Sequence, residues 1–165
     1  LLGPATVALA VPLYAQLPRL KRIFGPALIA LAVGSLTAIV SAIAVGWALG
    51  ASRPTLMSLA PKSVTTPIAM GIAEKIGGLP SLTAVLVVTT GIIGAVIAQW
   101  LFRLLRVKDE AVQGFAIGVA SHGIGTARAF QISETTGAFA ALAMGLNGLA
   151  TALLLPILIS LIVVA

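Results

Sequence analysis

A chain of 165 residues that is 59% hydrophobic and 8% charged, with a mean hydropathy of +1.15, cannot cover itself with a water-facing surface, for which soluble domains use about 25% charged residues. The net charge is +6, but the basic residues stand at the ends of apolar runs, with no basic stretch interleaved with aromatics; headgroup anchoring accounts for them, and nucleic-acid binding is excluded. With no cysteine and one histidine, disulfides, thiolate metal sites and a histidine-based metal cluster are excluded as well, and no cofactor is expected.

The chain opens on Leu1-Leu2-Gly3-Pro4, inside an apolar run and without the charged start of a signal peptide. It reads as a fragment whose earlier transmembrane helices are missing. The first stretch, Gly3–Leu17, is short and holds Pro12 in mid-run. Arg19, Lys21 and Arg22 then precede Pro26–Gly50, the first stretch long enough to cross a bilayer; Pro80–Phe102 and Gly137–Ala165 follow. Crossing a hydrocarbon core of ~30 Å takes about 20 helical residues. None of the three stretches holds a charge, and a backbone in lipid must satisfy its own hydrogen bonds, so each predicts a helix.

Two further stretches, Val64–Gly77 and Ala111–Phe130, are interrupted by Pro67 and by Ser121-His122-Gly123-Ile124-Gly125. Proline removes a donor and clashes with the preceding turn. Irregular backbone at membrane depth is tolerated only inside protein or beside a wet cavity. The expected fold is therefore an all-α membrane protein, a single domain over residues 1–165, in which three long helices near 26–50, 80–105 and 137–163 alternate with broken or re-entrant half-helices. The two interrupted stretches are expected to meet, their polar groups facing across a cavity inside the protein.

Ile72, Glu74, Gly77, Leu82 and Leu86 recur as Ile132, Glu134, Gly137, Leu142 and Leu146 at a constant offset of 60, which reads as an inverted repeat. Lys and Arg bias sets orientation. Arg19, Lys21 and Arg22 before the first long span, and Arg103, Arg106 and Lys108 after the second, place both ends in the cytoplasm. The Arg53–Lys62 loop is then external, and Val64–Gly77 must start and finish on that side.

Ser121-His122-Gly123-Ile124-Gly125-Thr126-Ala127-Arg128 joins the sole histidine, an arginine and two hydroxyls to two glycines. Glycines let the chain turn and let its amides approach a ligand. The N-terminus of a following half-helix favours an anion, and Arg128 is suited to grip a carboxylate with two hydrogen bonds. The alternative is that His122 and Arg128 only anchor at headgroup level. In Lys62-Ser63-Val64-Thr65-Thr66-Pro67, Thr65 and Thr66 either leave helix amides free for an anion or simply cap a helix; Lys62 reads as a snorkelling surface lysine. His122, whose unperturbed pKa of about 6.5 lies near neutral pH, Glu74 and Glu134 are the proton or ion-coupling candidates, and Glu74 or Glu134 can pair with Arg128 or Lys75; the alternative for the two carboxylates is an interfacial charge. Asn147 serves interhelical bonding as readily as ligand contact, and the Gly91/Gly94, Gly114/Gly118 and Gly145/Gly148 pairs serve close helix packing. Asp109 and Glu110 read as a solvated loop. No enzyme is expected: Ser121 and His122 are adjacent, whereas a nucleophile and its base need side chains that meet.

The stretches Gly3-Pro4-Ala5-Thr6-Val7-Ala8-Leu9-Ala10-Val11-Pro12-Leu13-Tyr14, Pro61-Lys62-Ser63-Val64-Thr65-Thr66-Pro67-Ile68-Ala69-Met70 and Ala120-Ser121-His122-Gly123-Ile124-Gly125-Thr126-Ala127 resemble the LrgB/CidB family of bacterial membrane proteins, YohK-type proteins included. The resemblance covers essentially the whole chain and implies two or three further N-terminal helices and a multi-pass place in the bacterial cytoplasmic (inner) membrane. It implies one of two activities. One is transport of a small organic anion, a monocarboxylate such as pyruvate, lactate or glycolate. The other is antiholin-like modulation of murein hydrolase export and lysis. The expected partners are the bilayer, the anion, a small LrgA/CidA-type companion and further copies of the chain. Thr65, Thr66, Ser121, His122, Gly123, Gly125, Thr126 and Arg128 are the expected substrate-binding residues.

Overall fold

A charge-free apolar run can satisfy its backbone in lipid only by coiling, and three such runs form the long helices. The computed structural model describes residues 10–164, so residues 3–9 of the first short stretch lie outside the described residues, while Pro12 falls inside a short helix rather than breaking one. In chain order the elements are α1 (Ala10–Ala15), α2 (Leu17–Ala48), α3 (Arg53–Leu59), α4 (Thr66–Ile76), α5 (Pro80–Leu104), α6 (Glu110–Ile132) and α7 (Glu134–Val164). Helices α2, α5 and α7 are long and apolar enough to cross a membrane. Their outer faces expose large apolar side chains, among them Ile29, Val33, Val96 and Leu153. Trp47 and Trp100 are exposed near the C-terminal ends of α2 and α5, as indoles at a membrane–water interface are.

Three boundaries differ from the sequence expectation. Helix α2 starts at Leu17, not Pro26, and carries Pro26 inside it; a proline in a membrane helix is tolerated where neighbours re-satisfy the freed carbonyl. Helix α7 starts at Glu134 and holds Pro156. Pro67 does not interrupt Val64–Gly77: it sits in the first turn of α4, where a missing N–H costs nothing. Helix α4 ends at Gly77, whose φ of 82° is left-handed, and the Gly78 N–H donates to Ala73 O at 2.7 Å, a C-cap that glycine favours.

Helix α3 joins two long helices at one end of the molecule. Gly46 of α2 leaves room for Leu56 and Leu59 of α3. The buried Ser58 hydroxyl accepts from Leu79 N–H at 2.8 Å, and Thr83 Oγ1 of α5 donates to Ser58 O at 3.2 Å. The chain therefore leaves α2 and enters α5 at the same face. At the opposite face, Arg19 pairs with Asp109 at 2.7 Å, and Gln16 Nε2 donates to Thr135 Oγ1 at 3.5 Å.

Helix α6 packs on α7 in an order that changes along its length. Before residue 122, Gly114 meets Thr136 O and Gly118 meets Ala140 O, so the two helices run in the same direction. After it, Gly123 and Thr126 lie on Met144 and Phe130 lies on Gly137, so they run in opposite directions. His122 itself departs from helical backbone, at φ 40° and ψ −132°.

The residues paired at an offset of 60 do not occupy matching places. Glu74 lies in the last turn of α4, whereas Glu134 opens α7. Gly77 is a left-handed turn, whereas Gly137 is helical and lies against the Phe130 ring.

Candidate functional site

Two short segments carry polar side chains to the interior. The first is the loop between α3 and α4, tightened by Lys62 N–H to Leu59 O and Val64 N–H to Pro61 O, both at 3.2 Å. These turns bury Ser63 and place Lys62 beside it, with Nζ donating to Ser63 Oγ at 3.3 Å. Thr65 is the N-cap residue of α4, yet its hydroxyl makes no capping hydrogen bond.

The second segment is the middle of α6. His122, not one of the glycines expected to let the chain turn, takes a positive φ of 40°. A side chain there costs strain, which persists only where neighbours hold the residue in place, and they do. His122 Nε2 lies 2.9 Å from Val87 O of α5, and Thr126 Oγ1 donates to His122 O at 2.7 Å. Gly91 and Gly94 of α5 open the groove that receives this segment: a Cβ at Gly91 would sit 2.7 Å from His122 Cε1, and one at Gly94 would overlap Ser121 Oγ. Gly114 and Gly118 serve close packing on α7 in the same way, and Gly148 does so against Ile68 at 3.0 Å, but Gly145 faces open space.

Asn147 of α7 ties the two segments together. Its Nδ2 donates to Ser63 O at 3.2 Å and to Val119 O at 3.1 Å, and its Oδ1 accepts from Ser35 Oγ of α2 at 2.5 Å. The side chain is 1% exposed. Among the described residues, every buried side-chain nitrogen and oxygen has a hydrogen-bond partner.

Beside this junction lies a cavity of about 310 Å³, lined by Lys62 and Ser63 of the loop, Thr90 and Gly94 of α5, and Ser121 of α6. Its lining includes an ammonium and three hydroxyls and no carboxylate. The arrangement can replace part of the water around a small anion.

Of the eight residues expected to bind substrate, only Ser121 lines this cavity. Thr65 and Thr66 stand at the start of α4, outside it. His122 and Thr126 are buried, bonded to Val87 O and to each other. Gly125 lets the chain fold closely on Ser121 and Ile117, while Gly123 approaches only Met144, at 3.9 Å. Arg128 donates to Gln131 Oε1 at 2.8 Å and to Gln99 Oε1 at 3.3 Å, which occupies its guanidinium away from the cavity. Glu74 and Glu134 are exposed at element ends; the only ion pair among the described residues joins Arg19 and Asp109, so neither carboxylate pairs with Arg128 or Lys75. Asp109 is not merely solvated: it accepts from Ala111 and Val112 N–H and caps α6. Sequence reasoning missed Thr90 and placed Lys62 at the surface. The available signal was that Lys62 stands beside a turn with no acidic residue near it in sequence.

Residues 1–161 match the LrgB-like family. The chain is 40% identical, over 97% of its length, to the uncharacterized protein YwbG of Bacillus subtilis (strain 168), and covers 71% of that relative. It is 34% identical, over 94% of its length, to the antiholin-like protein LrgB of Bacillus mycoides (strain KBAB4) and to that of Bacillus cereus (strain B4264), covering 67% of each. No solved structure matches the chain.

Proposed function

The chain belongs to the LrgB-like family, and from that premise we propose that it is an antiholin-like protein of the bacterial cytoplasmic membrane. In this role it restrains murein hydrolase export and lysis together with a small LrgA/CidA-type companion. The observation that carries this reading is the family match over residues 1–161, joined to relatives that bear the antiholin-like name. Disruption of the gene in its host is expected to raise extracellular murein hydrolase activity and the rate of lysis. Unchanged release and lysis in the disrupted strain would sink it.

The polar cavity favours a second reading, passage of a small organic anion such as a monocarboxylate. A lysis modulator built only from helix contacts has no use for an ammonium and three hydroxyls gathered around one open pocket. On this reading α6 is a pair of half-helices that enters from the Arg19–Asp109 face and returns to it. Residues 110–121 and 123–132 are about 18 and 15 Å long at 1.5 Å per residue, close to half of a ~30 Å hydrocarbon core. The α3–α4 segment enters from the opposite face, and the two tips meet at the midplane, where carriers place their sites. Uptake of labelled pyruvate, lactate and glycolate into vesicles holding the full-length protein, with and without the companion, tests this second reading. Uptake no greater than in empty vesicles would end it.

A further inference from the structure

The polar cavity does not stand alone. A second, open groove of about 470 Å³ runs between α2 and α6, from Ile23 and Val112 near the Arg19–Asp109 face to Ala38 and Ala120, with Pro26, Ala30, Val112 and Ala116 exposed along it. Ala38 and Ala120 line both cavities, so the two adjoin. The second is walled by apolar residues alone, several of them small: Ala27, Ala30, Gly34 and Ala116. Where the apolar corridor ends, Lys62 begins. Lys62 is only part-exposed, the sole ion pair among the described residues is Arg19–Asp109, and no acidic residue lines either cavity. A part-buried ammonium without a counter-charge is costly, and that cost favours a ligand that brings the negative charge with it.

We propose that the joined cavities bind an amphiphilic monoanion, a short-chain alkyl carboxylate, with its headgroup at Lys62, Ser63 and Ser121 and its tail in the α2–α6 corridor. This rests on the anion-passage reading and adds the residue that supplies the charge and the class of tail. Lys62 donates its ammonium hydrogens and the serine hydroxyls theirs to the carboxylate oxygens. The corridor holds no polar group to satisfy a second charge, so it discriminates against dicarboxylates. Each methylene taken from water is worth about fourfold in affinity, so affinity rises along the series until the tail fills the corridor.

The test measures binding of acetate, butyrate, hexanoate, octanoate and succinate to the full-length protein in nanodiscs by calorimetry, after subtraction of partitioning into protein-free discs. Lys62→Gln, Lys62→Arg and Ala30→Leu are compared with the parent, each checked for membrane insertion and normal unfolding. The parent is expected to bind the monocarboxylates more tightly with each added methylene and succinate least. Lys62→Gln is expected to lose at least tenfold for every monocarboxylate, Lys62→Arg to retain most of the affinity, and Ala30→Leu to weaken octanoate while leaving acetate unchanged. If Lys62→Gln binds the series as the parent does, the assignment of Lys62 is wrong while the passage reading stands. If binding depends on Lys62 but not on chain length, the amphiphile class is wrong. If the parent binds none of the series, the proposal falls, while the anion-passage reading is decided separately by the uptake of labelled pyruvate, lactate and glycolate.

Discussion

The α3–α4 loop and the middle of α6 each deliver a serine to the same cavity, Ser63 and Ser121, but the backbone reaches it by different means. The loop uses ordinary parts. Two turn hydrogen bonds fold it, and Thr65 in extended conformation followed by Pro67 starts the next helix without strain. Helix α6 uses a non-glycine residue at positive φ, which is stable only because α5 and α7 grip it from both sides. A local signal therefore specifies the first segment, whereas packing with distant elements specifies the second. Substitutions that act through packing should separate the two.

The largest effect is expected at Gly94. A Cβ there overlaps Ser121 Oγ, and Ser121 belongs to the strained segment and cannot yield without dragging His122 from Val87 O. Gly94→Val should cost about 3 kcal/mol, the upper range for overpacking, in unfolding of the full-length protein by detergent titration. Gly145→Val, which meets nothing within 4 Å, should cost nothing and gain a few tenths of a kcal/mol, because valine is a better helix former than glycine. Equal losses at the two positions would mean that the α5 groove does not hold the α6 segment.

Asn147 touches both segments and does not discriminate between them, so it calibrates the comparison. Asn147→Leu leaves Ser63 O and Val119 O without this donor, and each orphaned buried carbonyl costs about 1 kcal/mol or more. A loss of about 2 kcal/mol is expected in the same titration. Hydrogen exchange should rise in both the 60–65 loop and residues 119–123. Faster exchange in one segment alone would show that Asn147 does not join them.

His122 gives the sharpest contrast with the loop. His122→Ala loses the bond to Val87 O and keeps the backbone strain. His122→Gly loses the same bond but relieves strain of about 1–3 kcal/mol. The glycine variant should therefore be more stable than the alanine variant by at least about 1 kcal/mol, the reverse of their order in a regular helix. Thr65→Ala, which removes no capping bond, should cost less than about 0.5 kcal/mol. Alanine equal to or better than glycine at 122 would mean that α6 runs through this residue as a regular helix.

This contrast also explains what was legible in the sequence. Run length sets α5, because Pro80 is a natural first-turn residue and Arg103 stands at the far end. Proline positions misled, as at Pro26, which lies inside α2 rather than at its start. The cluster Ser121–Gly125 was visible as a break, but glycine was the obvious residue to turn and His122 is the one that does. Only Gly91 and Gly94, some thirty residues upstream, explain why. The two candidate cations are told apart for a related reason. Arg128 and Lys62 look alike in sequence, and only the fold shows that Gln99 and Gln131 occupy the first while the second lines a cavity.

The smallest expected effect lies at the face where α6 begins. Asp109 accepts from Val112 and Ala111 N–H and pairs with Arg19, whose Nη2 is 2.9 and 2.7 Å from its two oxygens. The Val112 N–H, aided by Arg19 and the Ala111 N–H and opposed by slight desolvation, holds the carboxyl below its ordinary 3.8. A depressed carboxylate contributes stability that is complete above its unfolded value and is lost as the pH falls through the folded one. The contribution should therefore be constant at neutral pH and fade below about pH 4. Both side chains are exposed, 41% for Arg19 and 50% for Asp109, so solvent screens the pair and its worth is a few tenths of a kcal/mol. Asp109→Asn keeps an acceptor for the capping N–H groups and removes the charge, which isolates the electrostatic part. Melting profiles of the parent and Asp109→Asn should differ slightly at pH 7 in low salt, converge below about pH 4 and converge again at 1 M salt. A difference that persists in acid would assign the effect to cap geometry rather than to charge.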